Sequence, residues 1–339
     1  MTIIEIAERA GVSIGTVDRV LHNRGRVSPE TKIKIQQIID EEGYQPNPLA
    51  RHLRRNENLK IGVLIPKPDS ESGYWHLVWQ GLKNAVSELS AFSLHLESFY
   101  FTRSNIRSLS SAFKKLQAAN CAAWVVAPIM QEECLKLIGT SQQDVPFICI
   151  DSPLPGSITR STIAQDPFRG GQLAGKLMNT ISPSEKTFAV IRPYTEAFNL
   201  NERFRGFADW YSHIPNSKVL DIVCSERNSK KIETTLDKAF RDNPSLSGIF
   251  VASSMAHKIV NYLDLRSITE KITLIGYDLV PQNEQYLKDE KINCLISQRP
   301  EEQGRLAIHE VYKALVLQEE AEEIISVPLD IFFKENLLW

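Results

Sequence analysis

Long apolar runs are missing from this chain: nowhere in its 339 residues do the roughly 18–20 consecutive apolar side chains needed to cross a bilayer occur. A basic leader followed by an apolar stretch is missing too, because Glu5, Glu8 and Arg9 interrupt the N-terminus, so secretion is not expected. The five cysteines, Cys121, Cys134, Cys149, Cys224 and Cys294, form no CxxC pair and have no histidine cluster beside them. That argues against a disulfide framework or a metal site and for reduced thiols filling the core of a cytoplasmic protein. GxSxG, HExxH and GxGxxG strings are absent. Gly170 to Lys176 meets GxxxxGK, but Leu177 replaces the hydroxyl residue that holds magnesium. Leu173 and Leu177 lie four apart, so the string reads as a helix interior. The paired acids Glu132–Glu133 and Glu301–Glu302 read as solvated helix starts. No catalytic residue, cofactor or metal site is expected.

Strong net charge is lacking as well, at −2, which excludes bulk basicity as a nucleic-acid anchor. The distribution matters more. Arg19, Arg24, Arg26, Lys32 and Lys34 cluster against the single acid Glu30, and Arg51, Arg54 and Arg55 follow. The positive potential is thus confined to the front end. The length suits two or three domains, and 42% apolar with 24% charged residues is ordinary for a soluble globular protein.

The front end predicts three short helices. Thr2 and Glu5 form a capping box ahead of Ile3, Ile6, Ala7 and Ala10, which share one stripe. Gly11 permits a tight turn. Ser13 caps a second helix with Val17, Val20 and Leu21 inward and Ile14, Gly15, Asp18 and Arg19 outward. Ser28–Pro29 opens a third, which carries Ile35, Ile38 and Ile39 inward and stops at Gly43. A generic three-helix bundle shares this periodicity with a helix-turn-helix, whose second helix enters the major groove. Further on, Asn47 caps and Pro48 starts a segment of barely two turns, Leu49 to Arg54. So short a helix is marginal in water, which leaves either a plain linker or a helix that folds on a surface.

The string IAERAGVSIGTVDRVLHNRGRVSPETKIKI, with EEGYQPNPLARHL after it, closely resembles the DNA-binding segment of the LacI/GalR family of bacterial transcription regulators. The resemblance is dense over residues 2–55 and looser beyond. It implies an all-α helix-turn-helix DNA-binding domain at 1–45 and a hinge helix at 46–57. Residues 58–339 then form an α/β two-lobed effector domain of the periplasmic-binding-protein type I fold, which also carries dimerisation. By the same resemblance Ile14, Gly15 and Arg19 take base-reading positions, and Ser13, Thr16 and Asn23 phosphate-contacting ones. Arg19 can pair bidentately with a guanine edge. Ile14 can pack on a thymine methyl, whereas Gly15 has no side chain with which to read. Asp18 stands where the family commonly has Ser; it can accept from cytosine N4 or pair with a neighbouring arginine. Asn47 caps the implied hinge helix, Ala50 faces the minor groove, and Leu53 wedges into the central base step. Paired hinges imply a homodimer on a pseudo-palindromic operator.

From Lys60 onward, apolar runs alternate with helical stretches: Ile61–Ile65, Leu94–Phe99, Trp124–Ala127, Phe147–Ile150, Phe188–Ile191, Val219–Val223, Ile249–Val251 and Ile272–Ile275. That alternation predicts parallel sheets buried on both faces, in two lobes, with ligand outside the carboxyl ends of the strands. The resemblance implies three crossings between lobes, placed near residues 160, 293 and 325. Asp69, Tyr74 and Trp75 follow the first strand and are cleft candidates. Trp79, four residues on, leaves a helical core stripe as the other reading of Trp75. Asp166 follows Ser161–Ala164. Arg203 fits the family's Arg-x-x-Gly element, Asp278 its strand-end aspartate after LIGY, and Gln298 ends the LISQ strand. Ser253–Ser254 replaces the Asn–Asp of many relatives. The expected function is a cytoplasmic bacterial regulator, most simply a repressor, that binds operator DNA under control of a sugar or sugar derivative. The alternatives are a purine or other non-sugar corepressor, or a small-molecule sensor acting through protein partners. Neither membrane association nor enzyme activity is expected.

Overall fold

The computed structural model describes residues 2–21, 23–44, 58–68, 73–103, 105–141, 145–184 and 186–337. The chain divides into two compact units, Met1–Glu57 and Asn58–Trp339.

In the first unit the local signals act as anticipated. Helix α1 (Ile3–Ala10) starts at the reciprocal Thr2–Glu5 box and ends at Gly11, whose φ of 70° needs the left-handed region. Helix α2 (Ile14–Leu21) follows a three-residue turn. Helix α3 (Pro29–Glu42) is capped by the Ser28 side chain and stopped by Gly43. Ile6, Ala7, Ala10, Val17, Val20, Ile35, Ile38 and Ile39 interlock as one small core. A salt bridge from Arg9 to Glu42 ties α1 to the end of α3.

The second unit holds two six-stranded sheets. The first contains β1 (Leu59–Pro66), β2 (Leu94–Phe101), β3 (Ala123–Val126), β4 (Phe147–Ile150), β5 (Ser161–Ala164) and β11 (Ile324–Ser326), in the order β11-β5-β4-β3-β1-β2. All its pairings are parallel. The second contains β6 (Thr187–Arg192), β7 (Lys218–Val223), β8 (Leu246–Val251), β9 (Thr273–Tyr277), β10 (Cys294–Ser297) and β12 (Asp330–Phe332), in the order β12-β10-β9-β8-β6-β7. Only β12 runs antiparallel there. Helices α4 (Tyr74–Glu88), α5 (Ile106–Ala118) and α6 (Gln131–Gly139) belong to the first lobe. Helices α7 (Pro167–Ile181), α8 (Phe198–Ser212), α9 (Ser229–Asp242), α10 (Ala256–Leu265) and α11 (Pro281–Lys288) belong to the second. Helix α12 (Pro300–Tyr312) returns to pack on α4 and β4.

The crossings fall later than the sequence suggested: between β5 and α7, between β10 and α12, and between β11 and β12. Each strand completes its sheet first, because its carboxyl end faces the other lobe and the chain leaves from that end. The two short strands β11 and β12 lay outside the apolar-run pattern.

Two close helix crossings hold the lobes' first layers. A Cβ on Gly206 of α8 would lie 1.9 Å from the Phe168 carbonyl oxygen, and one on Gly171 of α7 would lie 2.0 Å from that of Arg203. In the first lobe Gly81 and Gly304 make the equivalent approach, with Cβ distances of 1.9 Å to the Glu301 oxygen and 2.4 Å to the Val78 oxygen. Gly171 and Gly175 of the glycine string are therefore a contact face against α8, whereas Gly170 faces the Tyr277 hydroxyl of β9. Gly206→Ala is expected to destabilise by about 3 kcal/mol, the upper end for overpacking, because a backbone carbonyl cannot swing aside. Chemical denaturation measures it, and an unchanged midpoint would show that the helices do not approach so closely.

Candidate functional site

Within the first unit, α2 turns Val17 and Val20 into the core and leaves Ile14, Gly15, Asp18 and Arg19 exposed. The Ser13 hydroxyl accepts from the Thr16 amide (3.2 Å) and lies 2.9 Å from the Thr16 hydroxyl, which caps the helix start. The Arg19 stem runs over Gly25, whose added Cβ would lie 3.5 Å from Arg19 Cδ. Asn23, at φ 54°, accepts a 2.7 Å hydrogen bond from Lys32 Nζ, tying the turn after α2 to α3. Arg24, Arg26, Lys32 and Lys34 are exposed around this surface. The proposed hinge residues Asn47, Ala50 and Leu53 lie outside the described residues, as does Asp69.

In the second unit a cleft opens at the carboxyl ends of both sheets. Tyr74, Arg103 and Asp151 line it from the first lobe, and Tyr194, Asn199, Arg203, Glu226, Ser254, Asp278 and Gln298 from the second. Arg203 is 1% exposed. Its Nη1 donates to the Ala252 carbonyl and its Nη2 to Gln298 Oε1, both at 2.8 Å, while the guanidinium carbon sits 3.8 Å from the Tyr277 ring centre. Gln298 in turn donates to Asp278 Oδ2 at 3.2 Å. Arg203, Gln298 and Asp278 thus form one buried chain.

The two acids facing each other occupy equivalent places. Asp151 follows β4 and Asp278 follows β9, with φ of 68° and 62°. Each backbone amide is held by the next strand, Asp151 by the Ile163 oxygen and Asp278 by the Ile296 oxygen. Such left-handed aspartates carry strain of order 1–3 kcal/mol, a cost met with mostly at functional positions. Asn199 Nδ2 reaches across the cleft to both Asp151 oxygens, at 3.1 and 3.0 Å. Arg103 lies 4.8 Å from the Tyr194 ring centre, a second link between lobes. Among the described residues, Tyr74 Oη, Arg203 Nε, Ser253 Oγ and Asp278 Oδ1 are buried without a hydrogen-bond partner. Each unmet buried group costs about 1–3 kcal/mol, so the site is organised to receive further donors and acceptors.

Burial pushes the Asp278 carboxyl up to about 7 against the opposing pull of Arg203. Asp151 is raised by burial as well, with Arg203 and Arg103 opposing. A carboxyl whose folded-state value is raised contributes its stability fully below the unfolded value near 4 and loses it as pH rises through 7. Asp278→Asn is therefore expected to shrink the loss of stability between pH 5 and pH 8, a difference of a few kcal/mol in the parent. Denaturation midpoints at the two pH values test this; equal losses in parent and variant would contradict it. Asn199→Ala is expected to loosen lobe closure, removing bonds worth about 1–3 kcal/mol, and small-angle scattering should show an expanded effector domain. An unchanged scattering profile would remove Asn199 from that role.

Of the anticipated cleft residues, Tyr74, Arg203, Asp278 and Gln298 line the cleft and two others do not. Trp75 is wholly buried in the first-lobe core, because one step along α4 turns it away from the cleft that Tyr74 faces. Asp166 is the N-cap of α7, its carboxylate accepting from the Arg169 amide at 3.0 Å and paired with the Arg169 guanidinium. The cleft acids Asp151 and Glu226, with Asn199 and Arg103, were missed. Asp151 directly follows an apolar strand, the same signal that marks Asp278, and Asn199 lies one helical turn before Arg203.

A two-lobed ligand-binding domain behind a helix-turn-helix defines a ligand-responsive DNA-binding regulator. Residues 2–47 match the family described as bacterial regulatory proteins, lacI family, and residues 61–319 match the periplasmic binding protein domain. The chain belongs to the LacI family of bacterial transcription regulators. It is 24% identical to the ribose operon repressor of Lactococcus lactis over 99% of this chain and 98% of that one. The ribose operon repressor of Bacillus subtilis is likewise 24% identical, over 83% of this chain and 82% of the relative. Among solved structures, a glucose-galactose binding protein from Geobacillus stearothermophilus superposes with a TM-score of 0.73 at 21% identity, covering 83% and 99% of the two chains.

Proposed function

We propose that this chain is a repressor that binds a pseudo-palindromic operator as a homodimer in the bacterial cytoplasm, and that a sugar held in the cleft alters its hold on DNA. The carrying observation is the buried Arg203–Gln298–Asp278 chain with unmet polar atoms on Arg203, Asp278, Tyr74 and Ser253. A sugar hydroxyl both donates and accepts, so adjacent hydroxyls can meet Asp278 Oδ1 and Arg203 Nε together. The relatives named as ribose operon repressors support a sugar as effector. Ser13, Thr16 and Asn23 hold phosphates, Ile14, Gly15 and Arg19 face the bases, and the segment of Asn47, Ala50 and Leu53 enters the minor groove. Ligand and operator affinities are reciprocally coupled, so whatever the sugar does to DNA binding, DNA does to sugar binding. Footprinting on genomic fragments, with and without D-ribose, tests this. The expected result is a protected palindrome whose occupancy changes with sugar. No protection above non-specific background at physiological salt would end the regulator reading.

A further inference from the structure

The cleft is lined by three acids, Asp151, Glu226 and Asp278, and two bases, Arg103 and Arg203. Both guanidiniums are already engaged. Arg203 is spread over Ala252, Gln298 and the Tyr277 ring, with Nε its one unmet nitrogen, and Arg103 lies over the Tyr194 ring with its charge set against Asp151. A phosphate needs several convergent donors, and a single inward N–H cannot supply them. Two helix-start amides, the usual backbone source of such donors, are also taken. At α8 the Leu200 amide is taken by Asn199 Oδ1 (2.9 Å), and at α10 the His257 amide by Asn283 Oδ1 (2.8 Å). Burial already raises both aspartates, so the site resists the negative charge it carries. Asn199 on Asp151 and Arg103 over Tyr194 bridge the two lobes across the cleft, which suits one ring rather than an oligosaccharide.

We infer that the effector is an unphosphorylated monosaccharide and that the cleft rejects its phosphate ester. This rests on the sugar reading above and narrows it. Asp278, Arg203, Tyr74 and Ser253 match neutral hydroxyls in both hydrogen-bonding senses, whereas a phosphate would meet three carboxyl groups without a free cationic partner. Like-charge juxtaposition costs several kcal/mol, so an ester should bind roughly 100-fold or more weakly than the parent sugar.

Calorimetric titration of the full-length protein tests this with D-ribose, D-arabinose, D-glucose and D-galactose, each beside its terminal phosphate ester. The expected result is saturable binding of at least one free sugar and little or none of its ester. An ester that binds as tightly as its sugar overturns the inference and leaves the sugar-cleft reading standing. If no sugar or ester binds, both fail. Glu226→Gln supplies the electrostatic control. Removing one charge should narrow the preference for free sugar over ester, and an unchanged preference would overturn the charge argument.

Discussion

Arg203→Lys is expected to abolish the response of operator binding to sugar while leaving operator binding itself intact. A lysine ammonium is a point charge; it cannot span the Ala252 carbonyl and Gln298 while lying flat on Tyr277, as the guanidinium does. Losing one charge-assisted bond, about 1.5–3 kcal/mol, weakens sugar binding roughly 10- to 150-fold. Disruption of the Arg203–Gln298–Asp278 chain should bring the larger figure, because Asp278 then lies buried beside a misplaced cation. The DNA-binding unit does not include Arg203, so affinity for operator without sugar is the internal control. Calorimetry and mobility shifts measure both quantities. Sugar binding that survives the substitution unchanged would remove Arg203 from the site.

The second large effect lies in the first unit. Arg19→Ala should cost about 1–3 kcal/mol of discrimination, a roughly 5- to 150-fold loss of preference for operator over unrelated DNA. Arg19 is exposed on α2, so the fold should not suffer. Because Gly15 offers no side chain, Arg19 is expected to carry most of the hydrogen-bonded base reading on this face. Lys34→Ala makes the contrast: a surface cation that attracts phosphate should weaken specific and non-specific binding together and flatten the salt dependence. Competition mobility shifts separate the two. A uniform loss with Arg19→Ala would assign that residue to the backbone instead.

Much of the architecture was legible because local and global signals agree. The Thr2–Glu5 box, Gly11, Ser28–Pro29 and Gly43 act within a few residues of themselves, and each sits where the helix ends demand. The inner strands of a parallel sheet are buried on both faces, so β1, β3, β4, β6, β8 and β9 announced themselves as apolar runs, and the edge strands β2 and β7 showed as runs although half-exposed. The site was legible only in part. Asp278 and Arg203 carry a family pattern, but Asp151 becomes meaningful only when β4 and β9 are seen in equivalent places. Tyr74 and Trp75 are neighbours in sequence and opposite in role, and only the rotation of α4 decides which one faces the cleft. Asp166 precedes a proline exactly as Ser28 does, and that shared cap-then-proline signature argues for the N-cap it proved to be.

Occupancy of the cleft is expected to change the hold on DNA. A titration of operator affinity against a sugar shown by calorimetry to bind the cleft tests it most directly. Coupling of about 1–3 kcal/mol predicts a shift of roughly 5- to 150-fold in operator affinity, absent in Arg203→Lys at the same sugar concentrations. An operator affinity that stays constant while the cleft fills would contradict the account.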